Sequence, residues 1–115
     1  MNRMFLAMLP LCSLSACAMS GPMTPGRTVY AMENGYAAAL TAAVAYRHLP
    51  LCGPLSPPLC HTHLTVVRIS EAGDKAYALL ISAENVTRAK GTPAQIAAAV
   101  AGAQAAITEF RSVIP

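Results

Sequence analysis

Apolar residues in this 115-residue chain recur at alternating steps of four and three, and this spacing constrains the fold more than any other feature. Residues at such steps lie on one face of a helix. The spacing is clearest near the carboxyl end, at Ile96, Val100, Ala103, Ile107, Phe110 and Ile114. Thr92 precedes Pro93, and Gln95 follows at the third helical position, which is a capping-box arrangement. The sequence therefore predicts a helix over about 93–113.

Two earlier segments, about 28–48 and 62–90, show the same spacing. The face of the first comprises Val29, Met32, Tyr36, Ala39 or Leu40, Ala43 and Tyr46. The face of the second comprises Thr65, Ile69, Ala72, Ala76, Leu79, Ala83 and Val86. Gly73 falls off this second stripe, and Gly91 suits the end of the helix. The β-branched run at 64–69 also suits a strand, so a strand or hairpin within 63–82 is the alternative to one long helix.

These segments predict an all-α fold, a small three-helix bundle over residues 28–115 in which the second and third helices form an antiparallel hairpin. Alanine is the commonest residue. Alanine faces let helices approach closely but bury little apolar area, so we expect the domain to be only modestly stable alone. Ala98, Gly102 and Ala106 form a separate strip of small residues, which predicts either solvent-facing helix formers or a contact surface for another chain.

The first 16 residues have the organisation of a signal peptide. Arg3 precedes an apolar run over 4–14, which is too short to span a bilayer. The sequence Leu-Ser-Ala-Cys at 14–17 then resembles the lipobox of bacterial lipoproteins. The resemblance implies cleavage before Cys17, a diacylglyceryl thioether on its sulfur and acylation of the new amino group. The alternative is an ordinary secreted protein, cleaved at the same place, in which Cys17 has no role.

The resemblance also implies a location. Ala18 follows the cysteine, and in lipoproteins of Gram-negative bacteria a residue other than aspartate there favours the outer membrane, with the protein facing the periplasm. Residues 17–27 contain two prolines and two glycines and show no periodicity. We expect them to form a lipidated flexible tether.

Two further cysteines flank a segment rich in proline. Once Cys12 leaves with the signal peptide and Cys17 is alkylated, Cys52 and Cys60 are the remaining thiols. In an oxidising envelope such a pair forms a disulfide by default, which here would close a rigid loop between the first two helices. The competing interpretation is a zinc or copper site that uses the reduced cysteines with the nearby histidines His48, His61 and His63. The cysteine spacing does not match a zinc finger, so we expect the disulfide and no cofactor.

The remaining composition limits the classes of function. The formal net charge is +3 and no basic cluster is present, which argues against nucleic-acid binding. The five acidic residues form no adjacent pair suited to acid–base chemistry, and the chain lacks both a Gly-x-Ser-x-Gly elbow and a phosphate loop. We therefore expect no enzymatic activity and no small-molecule substrate.

Residues 35–115 resemble small helical lipoproteins of alphaproteobacteria and their prophages. The resemblance lies in Leu-Pro-x-Cys followed by Pro-Pro-x-Cys at 49–60, with alanine-rich helices after it, and it implies no activity. We expect a membrane-anchored structural or protein-interaction module of the cell envelope, with an envelope protein or a second copy as partner. The alternatives are a phage-encoded accessory to envelope disruption at lysis and a periplasmic metal-binding lipoprotein.

Overall fold

A computed structural model describes residues 23–115. The predicted signal peptide, Cys17 and most of the predicted tether lie outside the described residues. Within them the chain forms three helices, α1 (Pro25–Arg47), α2 (His63–Arg88) and α3 (Pro93–Ser112). The predicted all-α, three-helix class is confirmed. The strand or hairpin considered for 63–82 is wrong, because α2 runs through this region without a break.

Each helix begins after a threonine that caps it. The Thr24, Thr62 and Thr92 hydroxyls accept hydrogen bonds from the backbone N–H three residues later. In α3 the Gln95 side chain also accepts from the Thr92 N–H at 2.9 Å, so the predicted capping box is confirmed. Thr24 with Pro25 starts α1 three residues before the predicted position. Residues 25–27 are therefore helical and do not belong to the tether.

The core lies where the three helices meet along their buried faces. Phe110 is the largest fully buried side chain, and its ring centroid lies 5.7 Å from that of Tyr36. Gly73 belongs to this core, contrary to the prediction, since a Cβ built on it would lie 3.2 Å from Phe110 Cε2. The buried apolar residues are Val29, Met32, Ala39, Ala43, Ile69, Ala72, Ala76, Leu80, Ala83, Ala103, Ala106, Ile107 and Phe110.

The predicted stripe on α2 is wrong at one position. Leu80 is 4% exposed and lies in the core, whereas Leu79 is 36% exposed. A strict four-and-three repeat has a period of 3.5 residues, and a straight α-helix turns every 3.6 residues, so the stripe drifts by about 20° per heptad. Ten residues beyond Ile69 the drift has moved Leu79 off the face and brought Leu80 onto it.

The small-residue strip on α3 does not form one surface. Ala106 is buried in the core, whereas Ala98 is exposed. The prediction of a separate strip that includes Ala106 is therefore wrong, because Ala106 neighbours Ile107 and Ala103 on the packed face of the helix.

Candidate functional site

The segment between α1 and α2 is a closed loop. Cys52 and Cys60 form the predicted disulfide, with their Cα atoms 5.0 Å apart. The chain just outside the ring is paired as well: the Cys52 N–H donates to the His61 carbonyl and the His61 N–H donates to the Pro50 carbonyl, both at 2.9 Å. The two ends of the loop are therefore held together by one covalent bond and two backbone hydrogen bonds.

Ser56 organises the interior of the ring. Its hydroxyl accepts a hydrogen bond from the Gly53 N–H and donates to the Leu51 carbonyl at 3.1 Å. The Ser56 N–H donates to the Gly53 carbonyl at 3.1 Å, which closes a turn. Ser56 was not predicted to have a role. The available signal is the Gly-Pro-Leu-Ser segment, whose composition is typical of a turn stabilised by a serine hydroxyl.

His61 holds the exit of the loop against α1. Its Nδ1 atom lies 2.6 Å from the Leu49 carbonyl oxygen. Because a carbonyl only accepts, this ring nitrogen must carry the proton and donate. The ring also meets Tyr46 edge-on, with 6.2 Å between centroids, and the Tyr46 hydroxyl accepts from the Thr62 N–H at 3.3 Å. His61 therefore joins the end of the loop to α1, and the hydrogen bond from Thr62 to Tyr46 links α1 to the cap of α2.

The other two histidines occupy helix ends. His48 is the carboxyl-terminal cap residue of α1, and His63 is the first residue of α2. Both are exposed. Within residues 23–115, no three His, Cys, Asp or Glu side chains are grouped so that they could hold a metal ion. A metal site built on these histidines with Cys52 and Cys60 would require the disulfide to be reduced.

Two ion pairs join charged side chains of the described helices, one between helices and one within a helix. Lys75 of α2 contacts Glu109 of α3 at 2.5 Å, and Arg88 contacts Glu84 one turn earlier at 2.6 Å. The Lys75–Glu109 pair is solvent-exposed, and such surface pairs contribute about 0–1 kcal/mol to stability, whereas Glu84 is only 22% exposed beside an exposed Arg88. The first pair links the two helices of the hairpin, and the second lies along the surface of α2.

The described surface carries a group of exposed leucines at the loop. Leu55, at the tip of the ring, is 99% exposed, and Leu51 and Leu59 on either side of the disulfide are also exposed. The exposure of these leucines was not predicted, because no helical or strand periodicity applies to the loop. None of the three described helices is long and apolar enough to cross a membrane.

No known protein family, no characterised protein and no solved structure matches the chain significantly.

Proposed function

We propose that the chain is a lipid-anchored, non-enzymatic lipoprotein of the bacterial cell envelope, whose helical domain is a structural or protein-interaction module. The observation that carries the proposal is the sequence at 14–17, preceded by Arg3 and a short apolar run. Acyl chains contribute about 0.8 kcal/mol per buried CH₂, and stable anchoring requires two membrane-binding signals, such as the two or more chains that a lipoprotein cysteine carries. Cys17 would supply the attachment.

The loop supports an exported location. A disulfide such as that between Cys52 and Cys60 persists in oxidising compartments, which include the periplasm, and is rare in the cytosol. We propose that the domain lies on the periplasmic side of the outer membrane. Cys17 and Pro25 are eight residues apart in the sequence. Even a fully extended chain of this length reaches at most about 28 Å. The start of α1 therefore stays close to the anchoring membrane.

Intact mass measurement of the membrane-extracted protein tests this proposal. The protein is alkylated without reduction, so that free thiols acquire a label and disulfide cysteines do not. We expect a mass that starts at Cys17, carries acyl chains and shows no label on Cys52 or Cys60. The Cys17→Ser variant serves as the control and should retain the uncleaved signal peptide. A soluble wild-type protein without acyl chains would overturn the proposal.

The site of anchoring requires a separate measurement. Separation of inner and outer membranes by density should place the wild-type protein in the outer-membrane fraction. An Ala18→Asp variant is the matched comparison, because the residue after the lipidated cysteine directs sorting in the lipoproteins that this sequence resembles. Recovery of the wild-type protein with the inner membrane would contradict the proposed location while leaving the lipid anchor intact.

A further inference from the structure

Apolar side chains remain exposed on the side of the bundle where α1 packs against α2. Leu40 and Val44, one turn apart on α1, are 43% and 48% exposed, and both line one cavity between the two helices. Tyr36 lines the same cavity, and its ring centroid lies 6.0 Å from that of the half-exposed Tyr77. We call the surface formed by Tyr36, Leu40, Val44 and Tyr77 the α1–α2 patch. A contiguous apolar surface of this kind is typical of an interaction site.

The cavity within the α1–α2 patch is small. Its volume is about 130 Å³, whereas pockets for drug-sized ligands have volumes of about 300–1,000 Å³. Helices pack by inserting the side chains of one into the grooves of another, and a space of this size suits such a side chain. The α1–α2 patch therefore fits a protein surface better than a small molecule.

Two opposite charges lie at the two ends of this patch. Arg47 comes eleven residues after Tyr36, about 16 Å farther along α1. Asp74 lies at the Tyr36 end, because it follows Gly73, whose carbonyl oxygen is 3.5 Å from the Tyr36 hydroxyl. Arg47 and Asp74 are the charged residues that line the cavity, and both are exposed. Neither forms an ion pair with another residue of the described part of the chain.

The other charged side chains of α1 and α2 lie elsewhere. Arg27 is in the first turn of α1, twenty residues before Arg47. Glu33 lines a separate cavity together with the paired Glu84 and Arg88. A cavity between α2 and α3 is lined by the remaining ones, Arg68, Glu71 and Lys75, with Glu109 of α3. The α1–α2 patch is thus apolar in the middle, with one cation at one end and one anion at the other.

From this arrangement we infer that the α1–α2 patch is the interface of a symmetric dimer, in which a second copy of this chain covers it. A two-fold axis through the middle of the patch, between Leu40 and Val44, exchanges its two ends. Each Arg47 then meets Asp74 of the other copy, and two ion pairs flank the buried apolar side chains. The two α1 helices run antiparallel across the axis.

Self-complementarity is the reason to favour a second copy over a different protein. A surface with opposite charges at its ends matches itself after a two-fold rotation, and two-fold dimers are the commonest homo-oligomers. Pairing also compensates for the alanine-rich core, which buries little apolar area, because it removes Leu40, Val44 and Tyr77 from water. The inference rests on the protein-interaction part of the proposed function, for which it names the partner, and does not depend on the anchor.

Photo-crosslinking in intact cells tests which molecule covers the patch. The full-length Val44→p-benzoylphenylalanine variant carries the probe beside the proposed axis. The Ala98→p-benzoylphenylalanine variant is the matched control, because Ala98 is exposed on α3, outside the patch. We expect irradiation to give a product of twice the mass of the protein from the Val44 variant and none from the Ala98 variant. Membrane fractionation of the same cells reports the lipid anchor separately, so failure of the anchor and failure of the dimer are distinguishable.

Charge exchange tests the two-fold arrangement. In the Val44 probe background, Arg47→Asp leaves acids at both ends of the patch, and Asp74→Arg leaves cations at both ends. Either variant alone should give at least about tenfold less dimer product, because like charges across an interface oppose association. Co-expression of the two variants under different tags should restore the product as a mixed dimer, since acids then face cations at both ends. Recovery in the mixture also shows that both variants fold.

Three results would overturn the inference. The first is the absence of a dimer product from the Val44 variant. The second is a Val44 product whose mass corresponds to a different protein, because another partner would then cover the patch. The third is a dimer that the single charge variants do not weaken, or that the mixture of variants does not restore, because Arg47 and Asp74 would then not meet across a two-fold axis.

Discussion

At the scale of single residues, the turn between α2 and α3 depends on Lys90 and Gly91 in different ways. Lys90 adopts a left-handed conformation with φ of 53°. Its N–H donates to the Thr87 carbonyl at 3.2 Å, and the Gly91 N–H donates to the Val86 carbonyl at 3.0 Å, which is a Schellman motif. Gly91 has no positive φ, but a Cβ there would lie 2.9 Å from Val86 Cγ1. Gly91 is therefore required because a side chain there would clash with Val86, whereas Lys90 is the residue that adopts the unfavourable left-handed conformation.

This division of roles predicts opposite effects of two substitutions. Lys90→Gly should stabilise the protein by about 0.5–1 kcal/mol. The left-handed conformation costs an L-residue about 1–2 kcal/mol, which glycine avoids, but part of this gain is offset because glycine loses more backbone entropy on folding. Gly91→Ala should destabilise it by about 1–3 kcal/mol through overpacking against Val86. Urea unfolding of both variants measures these differences. Destabilisation by Lys90→Gly would contradict the assignment.

Tyr36 gives the fold a dependence on alkaline pH. Burial raises the pKa of its hydroxyl above the ordinary value of 10.0, and the nearby Asp74 carboxylate and the Tyr77 hydroxyl raise it further. Because the folded-state pKa is the higher one, the contribution to stability is complete below pH 10 and is lost as the pH rises through the folded value. The free energy of unfolding should therefore fall more steeply in the wild type than in Tyr36→Phe when measured from about pH 9 to about pH 11. Equal slopes would contradict the prediction.

At the scale of elements, α2 and α3 approach closely where Gly73 faces the ring of Phe110. Glycine within a helix costs about 1 kcal/mol relative to alanine, so its presence in α2 is explained by the space that the ring occupies. Gly102 of α3 provides the comparison, because a Cβ built there meets no atom within 4 Å. The two glycines differ in their surroundings and share the same helical backbone conformation.

We expect Gly102→Ala to stabilise the protein by about 1 kcal/mol through helix propensity alone. Gly73→Ala gains the same propensity, but its methyl group would lie 3.2 Å from Phe110 Cε2, and overpacking of a filled core costs about 1–3 kcal/mol. Gly73→Ala should therefore be less stable than Gly102→Ala by at least about 1 kcal/mol. Thermal unfolding of the two variants side by side tests this, and an equal gain for both would show that the Phe110 ring can move aside.

The elements also show what sequence periodicity can and cannot specify. The three helices and the capping box at Thr92 were predictable, because they depend on local spacing and local hydrogen bonds. The exchange of Leu79 for Leu80 in the core was not, because it depends on how the stripe drifts around a straight helix. The early start at Pro25 was missed because capping by Thr24 does not need an apolar pattern.

The features of the loop likewise include some that could be predicted from the sequence and some that could not. The pairing of Cys52 with Cys60 was predictable from the number of available thiols and the expected compartment. The hydrogen bonds of Ser56 and the link from His61 to the Leu49 carbonyl were not, since they depend on the path of the backbone between the cysteines. The exposed leucines were not predicted either, because no helical or strand periodicity applies to the loop and so no pattern indicates which of its side chains face solvent.

At the scale of the whole molecule, the disulfide shortens the connection between α1 and α2, which the longer of the two interhelical segments joins. The four residues between α2 and α3 hold those helices together as a hairpin, whereas fifteen residues separate the end of α1 from the start of α2. Closure of the Cys52–Cys60 ring shortens the effective path between α1 and α2. Much of the core is alanine, which buries little apolar area, so a constraint on the unfolded chain has a large relative effect.

We therefore expect the double variant Cys52→Ser/Cys60→Ser to lose about 2–3 kcal/mol of unfolding free energy, as chain-entropy arguments give for a ring of this size. Urea unfolding measures the loss. The wild type under reducing conditions is the matched control and should unfold at the same urea concentration as the double variant, because both lack only the covalent bond. A loss well below 1 kcal/mol would mean that the Ser56 and His61 hydrogen bonds close the loop without the disulfide, and that α1 is held to the hairpin by its packed face alone.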